Sequence, residues 1–326
     1  MAIMSYARAI NRALAEELER DDDVFVMGQD VGAFGGAFGV TRGLQERFGR
    51  RRVFDTPISE NFLVGGGVGA AITGLRPVVE LQYADFIAVA MDEVYNKAAK
   101  WRYMHGGLFT VPLVIRAPGG LAGGAGPEHS QSPEGLLLSA SGLHVVTPST
   151  PADALGLLKS AIRSPNPVVF IEHKGLYGLK GEVPDGEYLI PIGVADVKRV
   201  GTDVTVVAWT SMVHRALGAA EILASEGIQV EVVDPRGVRP LDMETILASV
   251  RKTGRLVLSH EAPAPGGAGG EVAAYVAEHA IEWLAAPIRR VCGADIPMPQ
   301  SAELEQYAIP TVDDLVQACR TALTYR

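Results

Sequence analysis

LHVVTPSTPADALGLLKSAIRSPNPVVFIEH, residues 143–173, reads as a strand and turn, a helix near 151–162 and a second strand. Parallel neighbours cannot be joined by a tight turn, so a helix between two apolar strands is the natural crossover of a parallel sheet. The same alternation extends in both directions. Upstream, Tyr6, Ile10, Leu14 and Leu18 recur every four residues in a helix over 5–20 that Ser5 can cap. A strand at Val24–Met27 follows, then a glycine-rich loop, GQDVGAFGGAFG, and a helix start at Thr41. A helical GGGVGAAITGL, a strand at Pro77–Gln82, a long helix around Ala88–Trp101 and the strand VPLVIR complete the run. Continuous apolar strands of this kind belong to sheets covered on both faces.

Residues 181–192, GEVPDGEYLIPI, break the pattern with two prolines and several acids and read as a linker. Beyond it the alternation restarts with VTVVAW, a helix near 212–226, QVEVVD, a helix near 242–251, RLVLSH, a helix from 268 and IRRVCG. The expected fold is therefore α/β with mostly parallel sheets in two domains, 1–185 and 186–326. Two domains of about 150 residues suit a chain of this length.

The chain carries 29 Lys and Arg against 38 Asp and Glu, a net charge of −9. No basic stripe is available to neutralise a phosphate backbone, which argues against nucleic-acid binding. Only two cysteines occur, Cys292 and Cys319, far apart and in no metal-ligand spacing. That favours a reducing, cytoplasmic setting over a disulfide framework. The first residues carry acids where a signal peptide would carry its apolar run, and no stretch of 18 apolar residues exists to span a membrane.

Ligands of open parallel sheets bind outside the carboxyl ends of the strands, so the loops there are the places to search. In DTPISENFLVGGGVGAA, residues 55–71, Gly65-x-Gly67-x-x-Ala70 matches the dinucleotide fingerprint by letter. It does not directly follow a strand, and no ribose-binding acid stands on a strand end some 20 residues later. Close packing of a helix on a sheet explains these glycines better than a nicotinamide site. Glu60 is sharper, because Ile58, Phe62, Leu63 and Val64 around it imply partial desolvation, which raises a carboxyl pKa and suits it to sharing a proton. A first-turn glutamate behind a capping Ser59 is the alternative. The second glycine-rich loop, APGGLAGGAGPEHSQS, ends near His129, which is suited to acid–base work or to capping the helix after Pro133. Ser259-His260-Glu261, with GGAGG at 266–270, reads as a structural or subunit-contact feature. No Gly-x-x-x-x-Gly-Lys-Ser/Thr loop, Gly-x-Ser-x-Gly elbow or zinc-ligand spacing is present.

Taken in order, GQDVGAFGGAFGVTRGLQERFG, RVFDTPISE, GLRPVVELQYADF, AAKWRYMHGG, VPLVIRAPGG, GPEHSQSPEG, PVVFIEHKGLY and VDPRGVRPLD resemble the beta subunit of thiamine-diphosphate-dependent 2-oxoacid dehydrogenases. The resemblance runs from about Ser5 to Arg326. It implies a pyrimidine-binding domain followed by a transketolase-type C-terminal domain. Glu60 falls on the family's cofactor-activating glutamate, which hydrogen-bonds a pyrimidine nitrogen and favours the imino tautomer that deprotonates the thiazolium carbon. Phe86 falls on the aromatic that packs against the aminopyrimidine, and His129 on the histidine associated with lipoyl transfer. A potassium ion is implied on the backbone carbonyls of Leu113, Ala161, Ile162, Ser164 and Asn166, with Ser164 in place of a more usual aspartate. Gln29 departs from the family's Gly-Glu-Asp/Glu opening.

The Gly-Asp-Gly segment that anchors diphosphate and magnesium in thiamine enzymes is missing from the sequence. By resemblance, a separate alpha subunit supplies it in an α₂β₂ heterotetramer, and a lipoyl acyltransferase core is the second partner. Pyruvate is the first expectation for substrate. Acetoin follows, since YNKAAKWRYMHGG and IEHKGLY resemble that branch, and branched-chain 2-oxoacids come third. Outside the family stand a nicotinamide-binding oxidoreductase and a non-catalytic assembly subunit.

Overall fold

The computed structural model describes residues 1–121 and 123–325; Ala122 of the second glycine-rich loop and Arg326 lie outside it. The chain forms two compact units, one of residues 1–119 and 137–192, the other of 120–136 and 193–326. The linker expected at 181–192 closes the first unit. The His129 loop, though early in the chain, belongs to the second.

The first unit comprises β1 (Ala2–Ser5), α1 (Tyr6–Arg20), β2 (Val24–Gly28), α2 (Leu44–Phe48), β3 (Val53–Asp55), α3 (Glu60–Ile72), β4 (Arg76–Glu80), α4 (Trp101–Met104), β5 (Val114–Gly119), β6 (His144–Val146), α5 (Pro151–Arg163), β7 (Val168–His173) and β8 (Lys180–Val183). Its parallel strands lie in the order β6-β7-β5-β4-β2-β3. A separate antiparallel ribbon pairs β1 with β8, Ala2 opposite Val183 and Ser5 opposite Lys180. The fourfold stripe of α1 is its buried face: Tyr6, Ile10, Leu14 and Leu18 share one core with Leu155, Leu158 and Ile162 of α5. Each such burial contributes about 1.5–3 kcal/mol. Ser5 caps α1 by accepting from the Arg8 N–H at 3.3 Å.

Two expected helices differ. The helix start at Thr41 moves to Leu44, because the Thr41 hydroxyl donates to the Val31 carbonyl (2.8 Å) and does not cap. The continuous helix around Ala88–Trp101 is replaced by a 3₁₀ turn at Ala84–Ala88, a π-helical turn at Glu93–Ala98 and the short α4. The wider turn places the Glu93 side chain against α3, where a methyl group on Gly65 would lie 3.1 Å from its carboxylate.

The second unit comprises β9 (Asp196–Arg199), β10 (Val204–Ala208), α6 (Ser211–Ser225), β11 (Val230–Asp234), β12 (Gly237–Arg239), α7 (Met243–Thr253), β13 (Leu256–Pro263), α8 (Ala268–Ala280), β14 (Arg289–Gly293), α9 (Ala302–Ala308) and α10 (Val312–Thr324). Its sheet runs β14-β13-β10-β11-β9, parallel except for β9. Met212, Val213, Ala216 and Leu223 of α6 share a core with Leu315, Val316 and Cys319 of α10 and the strands beneath.

At the centre of the first sheet, fully buried Arg116 on β5 lies between carboxylates on both neighbouring strands. It forks onto Glu172 of β7, Nε to Oε1 at 2.6 Å and Nη2 to Oε2 at 2.9 Å, and pairs through Nη1 with Glu80 of β4. The Tyr177 hydroxyl adds a 2.7 Å bond to Glu172. Burial, opposed by Arg116, leaves the Glu80 carboxyl above its usual range. Arg116→Met strands two buried carboxylates and is expected to cost about 3–5 kcal/mol, read as a lower urea midpoint.

A second charge cluster ties the linker down. Buried Lys159 of α5 donates to Glu16 and to Glu187, each at 2.7 Å, and Arg163 bridges Glu187 and buried Glu17. Hydrogen bonds from Lys159 and Arg163 hold the Glu187 carboxyl at about 2, down from 4.5. A depressed carboxyl contributes stability above its unfolded pKa and loses it as pH falls through the folded one. The stability gap between the native chain and Glu187→Gln is therefore expected to be complete above pH 4.5 and to close toward pH 2, measured as urea midpoints across that window.

Candidate active site

Glu60 is the first residue of α3, directly behind Ser59, whose hydroxyl oxygen accepts from the Phe62 N–H at 3.4 Å. It is both the first-turn acid and a buried group, since only 8% of it is exposed. Among the described residues its carboxylate has neither a hydrogen-bond nor an ionic partner. The buried carboxylates of Glu17, Glu80, Glu172 and Glu231 all face a guanidinium or ammonium group. Leaving a buried charged group unpaired costs on the order of 1–3 kcal/mol or more. The helix N-terminus offsets part of that. Leu63 and Val64 are buried beside it as expected, whereas Ile58 and Phe62 are 77% and 60% exposed.

The fingerprint-like glycines lie inside α3, not at a strand-to-helix turn. A methyl group on Gly67 would come within 2.9 Å of Leu113 and 3.1 Å of Val79. These glycines seat the helix on β4 and the start of β5, and no dinucleotide turn is formed.

Phe86 lies in the 3₁₀ turn Ala84–Ala88 that follows β4. It is half-buried and meets Tyr83 edge-on, with ring centroids 5.8 Å apart. Tyr83 in turn meets Phe38 edge-on at 5.6 Å, and the ammonium of buried Lys174 stands over it at 5.4 Å. The sequence reading missed Tyr83 and Lys174. Their only signals were an aromatic three residues before Phe86 and a lysine at a strand end. An aromatic ring held at its edge, with part of its surface open, and a buried carboxylate without a partner fit the pyrimidine end of thiamine diphosphate. Glu60 and Phe86 belong to the first unit.

His129 belongs to the second unit and is half-buried; its backbone N–H donates to the Gly126 carbonyl at 3.4 Å. Only a 3₁₀ turn, Pro133–Leu137, follows it. His260 is a packed residue, as anticipated. Its Nδ1 lies 2.8 Å from the Ala262 carbonyl, and methyl groups on Gly267 or Gly269 would collide with or crowd its ring. Burial lowers its pKa.

The five carbonyls considered for potassium lie on neighbouring segments, because β5 and β7 pair in parallel. Val168 N–H donates to the Leu113 carbonyl at 2.9 Å, and Ser164 N–H to that of Ala161 at 3.2 Å. Arg76 reaches the same place, with Nη1 2.8 Å from the Ile162 oxygen and 3.4 Å from that of Ser164. The Ser164 hydroxyl donates to the Asn166 carbonyl at 3.0 Å. Each carbonyl keeps a second lone pair, and the Arg76 guanidinium already occupies two of the five. Among the described residues no three His, Cys, Asp or Glu side chains gather as a metal site, and no helix is long and apolar enough to cross a membrane.

Residues 3–180 match the pyrimidine-binding domain of transketolase and residues 193–315 the transketolase C-terminal domain. The chain is 48% identical over 324 residues to 2-oxoisovalerate dehydrogenase subunit beta of Bacillus subtilis, covering 98% of each chain. It belongs to the beta subunits of the 2-oxoacid dehydrogenases. Other members of this family include pyruvate dehydrogenase E1 component subunit beta-1 of Oryza sativa, 47% identical and covering 98% of this chain and 86% of that one. The beta subunit of the acetoin:2,6-dichlorophenolindophenol oxidoreductase of Cupriavidus necator is 46% identical, with coverage of 98% and 97%. Among solved structures, a split-gene transketolase described as an inactive beta4 tetramer superposes with a TM-score of 0.80 at 26% identity, covering 98% of both chains. The family implies thiamine diphosphate and a complex with an alpha subunit.

Proposed function

We propose that this beta subunit supplies the pyrimidine half of a thiamine-diphosphate site whose diphosphate and magnesium half lies on an alpha subunit. One observation carries this: a carboxylate nine-tenths buried at a helix start with no partner among the described residues. Bound thiamine diphosphate supplies an electron sink for breaking the bond beside a substrate carbonyl. Glu60 shares a proton with a ring nitrogen of the pyrimidine, and its burial keeps that proton from exchanging freely with water. Phe86, steadied at its edge by Tyr83, fixes the plane of the ring. His129 serves the transfer of the acyl group to a lipoyl arm borne by an acyltransferase core. The exposed Ile58 and Phe62 beside Glu60 support closure of this site by another chain, in an α₂β₂ heterotetramer. The lack of a Gly-Asp-Gly segment in this chain supports a magnesium held by that other chain.

We assign pyruvate as the substrate and oxidative decarboxylation as the reaction, in the cytoplasm. Acetoin cleavage is the second reading, supported by YNKAAKWRYMHGG and by the Cupriavidus relative, whose match spans 98% of this chain. Initial rates of the reconstituted pair on pyruvate, acetoin and branched-chain 2-oxoacids separate these.

Calorimetry with thiamine diphosphate and magnesium is expected to show binding by the co-expressed pair and none by this chain alone. Tight binding by the lone chain would end the split-site assignment. Glu60→Ala is expected to lower turnover about 10²–10⁴-fold while sedimentation shows the heterotetramer intact. Unchanged turnover would make this chain an assembly subunit.

For potassium we propose the carbonyls of Leu113, Ala161, Ile162, Ser164 and Asn166. Exchanging sodium chloride for potassium chloride at equal ionic strength is expected to raise the melting temperature of the pair. Identical melting in the two salts would remove the ion from the assignment.

A further inference from the structure

The first glycine-rich loop, which follows β2, folds back on itself. The Gly36 N–H donates to the Asp30 carbonyl at 2.7 Å, and the Thr41 N–H to that of Gly35 at 3.0 Å. Gly35 and Gly39 have φ of +88° and +73°, and a methyl group on Gly35 would meet the Arg42 Cα at 2.8 Å. Both are conformations that favour glycine. The loop carries two phenylalanines with different fates. Phe34 is 70% exposed, whereas Phe38 packs against the core that holds Tyr6 and Phe170.

Phe38 stands between two rings. It meets Tyr83 edge-on, with centroids 5.6 Å apart and planes at 87°, and Tyr83 meets Phe86 in the same way at 5.8 Å and 84°. Phe38 also meets Tyr177, at 5.4 Å and 42°. Tyr177 is itself anchored. Its hydroxyl donates to Glu172 at 2.7 Å, and its ring lies 6.1 Å from that of buried Tyr6. Glu172 is the carboxylate onto which Arg116 forks. A continuous path thus runs from the buried charges of the sheet through Tyr177, Phe38 and Tyr83 to Phe86.

Edge-to-face contacts fix orientation as well as distance, because the positive rim of one ring seeks the negative face of the next. Two near-perpendicular contacts in series make the plane of Phe86 depend on that of Phe38. A residue that only filled space here could be exchanged for leucine, which keeps apolar bulk without a ring. A residue that orients its neighbours could be exchanged for tyrosine and not for leucine.

We infer that Phe38 is a positioning residue, which through Tyr83 sets the plane that Phe86 presents to the cofactor, with Tyr177 tethering it to the buried Arg116–Glu172 pair. The inference rests on the assignment of Phe86 to the pyrimidine ring. Fluorine placed at the para position of Phe86 reports that ring's surroundings by fluorine NMR in the full chain without cofactor. Phe38→Leu is expected to move the signal toward its position in the urea-unfolded chain, and Phe38→Tyr to leave it in place. Tyr177→Phe, which keeps the ring and loses the tether, is expected to move it the same way by less. In the complex with the alpha subunit, calorimetry is expected to show thiamine diphosphate bound about three- to tenfold more weakly with Phe38→Leu, the worth of one edge-on ring contact. Phe38→Tyr is expected to keep native affinity. A Phe86 signal unchanged by Phe38→Leu overturns the positioning role, and native affinity in that variant overturns its bearing on the site. A signal untouched by Tyr177→Phe overturns the tether. Absence of cofactor binding by the native pair overturns the pyrimidine assignment instead, and the fluorine signal, read without cofactor, still decides whether Phe38 places Phe86.

Discussion

Three adjacent strands of the first sheet each place a charge in the buried interior. Arg116 on β5 answers Glu172 on β7 with a two-pronged bond and Glu80 on β4 with its remaining nitrogen. Strand register cannot slip there without exchanging a paired charge for an unpaired one, a penalty of several kcal/mol. The sheet's ends are fixed by this centre. Both Glu80 and Glu172 lie at or near the carboxyl ends of their strands, and the segments that carry Phe86 and Lys174 begin immediately beyond them. The triad holds one more negative than positive group. The upward displacement of Glu80 follows from burial first and then from the second carboxylate, Glu172.

Much of this order was legible beforehand. The stripe of Tyr6, Ile10, Leu14 and Leu18 and the apolar runs VPLVIR and PVVFIEH carry local periodicity, and local periodicity is what a sequence displays. Arg116, Glu80 and Glu172 stand within runs that read as apolar strands, and a pairing between residues dozens of positions apart leaves no local trace. The broken path from Ala84 to Met104 was unreadable for a similar reason: a π-helical turn has the composition of an ordinary helix. Thr41 has the chemistry of a cap, yet its hydroxyl is spent on Val31, a tertiary contact that overrode the local signal.

The site was legible in part. The apolar context of Glu60 pointed to burial, and burial without a partner is what the structure displays. Two of the flanking hydrophobic residues, Ile58 and Phe62, turned outward, since a helix start exposes one side of its first turn. Lys174 and Tyr83 were not anticipated, because their significance lies in the ammonium over the Tyr83 ring and in that ring's edge-on contact with Phe38, not in spacing along the chain.

The β1–β8 ribbon has a mechanical meaning. Ala2 is hydrogen-bonded into register with Val183, at the last strand before the chain leaves the first unit. Tension applied at Met1 therefore loads the β1–β8 hydrogen bonds as well as α1, which begins directly after Ser5. Anything fused ahead of Ala2 would emerge beside β8, so a bulky extension at the amino terminus crowds that ribbon and does not hang from a free end.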